Sequence, residues 1–246
     1  MTSASGSRQS AIRILPPWWV LTPLVLVAIL AAGFAGFFYG QSAATNEAQA
    51  VPVLGHAPRY TMTNQFGKTV SSASFHGKVQ LVNFLFPYCT TLCPLIAAHL
   101  VNLENLDLVP DGLSGRVEIV SFNIDPAGTG PKEMRAFLRQ YGWNPTNPRW
   151  QYLTGSPDEI RRVVSKGFGV WYQRVKNSDS SAMPGGVVKP EVANPLAKKA
   201  NVDYDIAHDD VLEIVDPKGR IREIYQNADT LGSQQLISMI RRVLAG

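Results

Sequence analysis

The 246-residue chain has little cysteine and little charge. Its two cysteines, Cys89 and Cys93, exclude a disulfide-dense scaffold and confine any thiol chemistry to one short segment. Charged residues make up 17%, where about 25% is usual for soluble domains. The shortfall is concentrated, since no charged residue occurs between Arg13 and Glu47. No internal period recurs, which excludes solenoid and collagen-like architectures. A hydrophobic content of 45% excludes a disordered chain. The basic surplus of four forms no clustered face, so a nucleic-acid partner is not expected.

The uncharged stretch contains one long apolar run, WWVLTPLVLVAILAAGFAGFFY at 18–39. At helical rise it spans about 33 Å, enough for the hydrocarbon core of a bilayer. Trp18 and Trp19 at one end and Tyr39 at the other suit the two interfacial aromatic belts. The run exceeds the about 7–15 residues of a cleavable signal peptide, although Ala48 and Ala50 form a small-residue A-x-A beyond it. The expectation is a cytoplasmic N-terminus at 1–16, a transmembrane helix at 17–39 and a linker at 40–57. Arg8 and Arg13 precede the run and no Lys or Arg lies in 40–57, so the positive-inside rule sends the rest outward. The short leading segment suits a bacterial inner membrane, with the working domain on its periplasmic side.

From residue 58 to 246 the pattern alternates strands and helices, forming one α/β domain. VQLVNFLF at 79–86 reads as a strand buried on both faces. A helix follows over 94–106, with Leu95, Ala98, Leu103 and Leu106 at helical spacing. Then come a strand at 117–124, a helix at 132–141 and a strand near 150–153. In SPDEI, Ser156 or Asp158 caps a further helix, with Glu159 in its first turn. Residues 211–215 and 220–225 flank the turn Asp216-Pro217-Lys218-Gly219, and an amphipathic helix closes the chain at 233–244. This is a thioredoxin-like order.

The two cysteines sit in FPYCTTLCP, between the first buried strand and its helix. In a helical turn or tight loop, three intervening residues let both sulfurs approach one point. The junction also offers free backbone N–H groups and the positive end of a helix, which favour thiolate. A structural disulfide there would close only a five-residue loop, where the entropic benefit is smallest. The pair therefore reads as chemical, and either disulfide exchange or a soft metal such as Cu(I) suits it. A stable Cu(II) site also needs an imidazole. Of four histidines, His56 and His76 lie in polar loops, His99 falls off the cysteine face, and His208 precedes the hairpin. On its own, a loop histidine assigns nothing.

FLFPYCTTLCP, SFNIDPAGTGPKEM and DYDIAHDDVLEIVDPKGRI, in that order and spacing, resemble the Sco/SenC family of copper-binding cytochrome oxidase assembly proteins. The resemblance covers about residues 58–246, and an N-terminal anchor is also the family's layout. It implies a thioredoxin-like fold and a copper site of Cys89, Cys93 and His208. It also implies a membrane-anchored copper chaperone that delivers Cu(I) or Cu(II) to the copper-bearing subunit of a respiratory oxidase. Another copper chaperone or thiol–disulfide protein is a further partner. The other readings are a thiol–disulfide oxidoreductase using Cys89 and Cys93 as its redox pair, and a copper or redox sensor. A peroxidase is disfavoured, because no peroxide-activating arginine marks the first cysteine. Thr90 and Thr91 stand where the family usually has Pro-Asp, Thr129 where an acid is usual, and Asp209 where Ser or Thr is common. Losing an acid between the thiols is expected to lower their pKa values. The Pro- and Gly-rich segment 176–203 reads as a mobile, partner-facing insertion, with Met183 as an exposed loop residue.

Overall fold

The computed structural model describes residues 51–145, 147–176 and 192–246, with isolated helical positions 29, 30, 32 and 34 ahead of them. Beyond those four positions, the expected transmembrane helix at 17–39 lies outside the described residues. No helix among the described residues is long and apolar enough to cross a membrane.

In chain order the strands are β1 (Gly55–His56), β2 (Thr61–Asn64), β3 (Thr69–Ser71), β4 (Val79–Leu85) and β5 (Val117–Asn123). They continue with β6 (Trp150–Thr154), β7 (Tyr172–Lys176), β8 (Tyr204–His208), β9 (Val211–Val215) and β10 (Arg220–Gln226). The helices are α1 (Cys93–Asn102), α2 (Pro131–Gln140), α3 (Pro157–Arg161), α4 (Pro195–Ala200) and α5 (Ser233–Ala245). Eight strands form one sheet in the order β1-β10-β9-β4-β5-β6-β2-β3, while β7 and β8 form a separate hairpin. β4, β5 and β6 are parallel, and β9 runs antiparallel to β4. Every residue of β4 and β5 is buried, as a central strand covered on both faces requires.

Alternation along these strands divides the core. Phe84 and Phe122 pack against Phe168, beyond the π-turn Arg162–Gly167 that prolongs α3. Tyr152 faces the other way and meets Phe137 of α2. On that second face a polar chain is fully satisfied: Trp150 Nε1 donates to Ser121 Oγ (2.9 Å), which donates to Asn83 Oδ1 (2.7 Å). Ser156 and Glu159 form the reciprocal capping box expected at α3. In the β9–β10 turn, Asp216 Oδ1 accepts from the backbone of Lys218 and Arg220, and Gly219 supplies the positive φ of 78°.

Three expectations need correction. Residues 51–57, read as the end of the linker, belong to the folded body. β1 pairs with β10, and buried Arg222 donates to the carbonyls of Val51 and Pro52. An open strand edge and a buried guanidinium both need acceptors, and this segment supplies them. α1 is rotated relative to its expected face. Its buried stripe is Cys93, Ile96, Ala97, Leu100 and Val101, whereas Leu106 is 66% exposed. The helix begins at Cys93 and widens into a π-turn at Leu103–Asp107, which shifts the phase of everything beyond. The insertion 176–203 is not wholly loop, since 195–200 form α4 with Asn194 as its cap. Its residues 177–191, Met183 included, lie outside the described residues.

Candidate metal centre

Three elements deliver the three sulfur and nitrogen groups. Cys89 follows β4 in a turn closed by its N–H to the Phe86 carbonyl (3.0 Å). Cys93 opens α1 on the helix's buried stripe, which turns its sulfur inward. His208 is the last residue of β8, opposite Tyr172 of β7, rather than in a loop. Their ligand atoms all lie within 4.8 Å of one another, and Cys93 Sγ is 3.5 Å from His208 Nε2. Both cysteines are free thiols and buried. The other three histidines are exposed.

The imidazole is oriented from behind. His208 Nδ1 lies 2.8 Å from the Asp209 carbonyl oxygen, which can only accept, so Nδ1 carries the hydrogen and Nε2 faces the sulfurs. A backbone carbonyl behind the ring in this way fixes the tautomer of metal-ligating histidines. The hairpin that carries His208 is itself anchored. Asp125, buried after β5, accepts from Arg174 Nη2 of β7 (2.5 Å) and from the Tyr204 hydroxyl of β8 (2.7 Å). The Arg174 guanidinium lies 3.9 Å from the Tyr204 ring centroid.

The thiols are unequal. A hydrogen bond from Cys93 lowers Cys89 well below the ordinary thiol range, outweighing burial, with further help from His208 and Thr91. Thr91 contributes its hydroxyl at 3.3 Å and its N–H at 3.5 Å from Cys89 Sγ. Cys93 is pushed well up by burial and by donating to Cys89. Burial works against protonation of His208, but its hydrogen bond to Cys89 and the charge of Cys89 raise it overall. Asp205 rises to about 6, chiefly through burial and then through the charge of Cys89. The cluster thus sets a Cys89 thiol with a depressed pKa beside a Cys93 thiol with a raised one, next to the imidazole of His208. Two sulfurs and one imidazole suit copper, the thiolates for Cu(I) and the nitrogen for Cu(II). The same thiolate–thiol pair suits disulfide exchange.

Three contributors escaped the sequence reading. The Thr91 contacts depend on the local turn, and the Asp125–Arg174–Tyr204 anchor on tertiary pairing. Asn194 had a visible signal, because Asn followed by Pro is a helix start with a cap and a proline in the first turn.

Fold and site together define a thioredoxin-like protein with a buried dithiol beside a half-buried imidazole. The SCO1/SenC family model matches residues 50–185, more than half of the chain, and the chain belongs to that family. Among curated relatives, the "SCO1 protein homolog" of Bacillus subtilis is 28% identical over 189 residues, 74% of this chain and 79% of the relative. "Protein sco1" of Schizosaccharomyces pombe is 26% identical, spanning 84% of this chain and 71% of the relative. Among solved structures, BsSco is described as a member of the Sco family of cytochrome c oxidase assembly proteins with a disulfide switch. It matches at 26% identity and a TM-score of 0.58, covering 80% of this chain and 98% of that one. Arabidopsis thaliana ScoI with copper bound matches at 19% identity and TM-score 0.58, covering 77% and 99%.

Proposed function

We propose that this protein is a membrane-anchored copper chaperone that passes copper to the copper-bearing subunit of a respiratory oxidase during assembly. One observation carries the reading: two sulfurs and a pre-oriented imidazole nitrogen from three separate elements lie within 4.8 Å of one another. Disulfide exchange uses the sulfurs and has no need of that third ligand. Membership of the SCO1/SenC family supports the assignment, as do relatives described as copper-bound or as oxidase assembly proteins. The apolar run at 18–39 and a family relative described as a Bacillus anthracis lipoprotein support attachment to a membrane. The domain then faces the periplasm.

Copper is the cargo. Cys89, whose pKa its neighbours depress, is the thiol readier to ligate it. Ligation requires deprotonated thiols and a neutral imidazole, so binding tightens as pH rises. With Cu(I) the two thiolates suffice. With Cu(II) the imidazole relieves an environment that two thiolates alone would reduce. A second reading, reduction of the acceptor's cysteines, is favoured by the thiolate–thiol asymmetry of Cys89 and Cys93.

The deciding experiment is His208→Ala. Under the copper reading it lowers Cu(II) affinity steeply, spares part of Cu(I) binding, and blocks oxidase assembly in cells. Under the reductase reading it spares dithiol–disulfide exchange with an acceptor peptide and leaves assembly intact. Unchanged Cu(II) affinity overturns the three-ligand site.

A further inference from the structure

We infer that Asn194, in the insertion between β7 and β8, is a positioning residue for the dithiol loop: it clamps the main chain on both sides of Tyr88 and so fixes where the Cys89 sulfur lies. Asn194 is 5% exposed and more than 100 residues from the loop in sequence. Its Nδ2 donates to the carbonyl oxygens of Pro87 (2.9 Å) and Cys89 (2.7 Å), spending both amide hydrogens on the loop. Its Oδ1 accepts from the N–H groups of Leu196 and Ala197 and from Gln140 Nε2 of α2. With three donors converging on the oxygen, the amide has only one orientation. Two residues earlier, the Val192 N–H donates to the Thr90 carbonyl, a second tie between insertion and loop.

The consequence for the site is geometric. The Cys89 sulfur is placed by three neighbours: Thr91, with its hydroxyl at 3.3 Å and its N–H at 3.5 Å, and Cys93 and His208, whose ligand atoms lie within 4.8 Å. Such contacts weaken steeply as distance and angle change. Releasing the Cys89 carbonyl lets the sulfur drift and costs all three at once. It also leaves the carbonyls of Pro87 and Cys89 without their buried donor, so the turn re-forms elsewhere. The clamp thereby couples the insertion to the metal loop, a role that rests on reading Cys89, Cys93 and His208 as the copper site.

The test is Asn194→Ser in the full-length protein, with Gln140→Ala as the comparison. Serine caps a helix about as well as asparagine, but it is neutral and too short to reach both carbonyls. Gln140→Ala cuts the tie between α4 and α2 while leaving the donations to the loop in place. Asn194→Ser is expected to lower Cu(II) affinity about 10–100-fold, as loss of outer-shell support does. It should also move the thiolate-to-Cu(II) charge-transfer band and change the rate at which Cys89 is alkylated at a fixed pH, while Gln140→Ala leaves all three at wild-type values. Asn194→Thr is a second neutral cap and serves the same purpose where the serine variant does not fold. Wild-type affinity and a wild-type alkylation profile in the serine variant overturn the inference, leaving Asn194 a helix cap alone. Equal shifts in both variants overturn it too, because the effect then belongs to the packing of α4. If the wild-type protein binds no copper, the copper reading fails, but the alkylation profile needs no metal and still decides the role of Asn194.

Discussion

The sharpest consequence of the fold for stability comes from Glu213. It lies mid-strand in β9, opposite Val82 of β4 and Ile224 of β10, and is 0% exposed. Among the described residues, neither carboxylate oxygen has a hydrogen-bond partner. Burial raises its pKa from 4.5 to about 8, so the folded protein holds this carboxyl neutral at pH 7 while the unfolded chain ionises it. Between about pH 4.5 and 8 the native state therefore binds more protons, and stability must fall as pH rises through that window. At about 1.4 kcal/mol per tenfold, the full swing is about 5 kcal/mol, comparable with the entire stability of a marginal domain. Glu104 and Asp205, raised to about 7 and about 6, slope the same way, so the wild-type curve alone does not isolate Glu213. Glu213→Gln does, because the amide keeps the shape and cannot titrate. Urea denaturation of the reduced, copper-free protein at pH 5, 6.5 and 8.5 gives two curves whose separation is to be followed. The wild type should lose about 4 kcal/mol relative to the glutamine variant over that range, and the difference should flatten above pH 8. Parallel curves would refute the neutral buried carboxyl.

Two further substitutions probe the support of the site. Thr91→Val removes the hydroxyl contact to Cys89 while the backbone N–H remains; the pH midpoint for alkylating Cys89 should rise by about one unit or less, one weak hydrogen bond's worth, and an unchanged midpoint means the hydroxyl is a bystander. Asp125→Ala frees Arg174 and the Tyr204 hydroxyl from the hairpin anchor. Because Arg174 is half exposed and can be rehydrated, denaturation should show a loss of about 1–3 kcal/mol, with Cu(II) affinity falling as the strand carrying His208 loosens. Tyr204→Phe should cost less than the alanine change, since it deletes one of the two bonds, and a larger cost would put the anchor elsewhere.

How much of this was legible in the sequence follows from where each signal lives. Central strands announce themselves because burial on both faces forces continuous apolar runs: VQLVNFLF and VEIVSFNI gave β4 and β5 within a residue or two of their observed ends. The capping box at Ser156 and Glu159 and the Asp216–Gly219 turn were equally local, so they were equally readable. The outlying strands β1, β2 and β3 were not. They are short and half exposed, and β1 exists only because β10 leaves an edge to pair with. β7 and β8 escaped for a related reason, since as a separate hairpin they carry the mixed burial of a surface ribbon. The site divides in the same way. Two cysteines at a strand-to-helix junction carry their chemistry in their spacing, whereas His208 carries none. From composition alone it is a loop histidine, and only the resemblance paired it with the thiols. In the fold, the strand register that sets His208 opposite Tyr172 aims its ring, and the Asp209 carbonyl selects its tautomer. The ligand set was therefore readable as residue types, while the forces that make it a site are tertiary. Thr91, Asp125 and Asn194 come from a turn, a strand end and a distant insertion, and each reaches its partner only once the chain has folded.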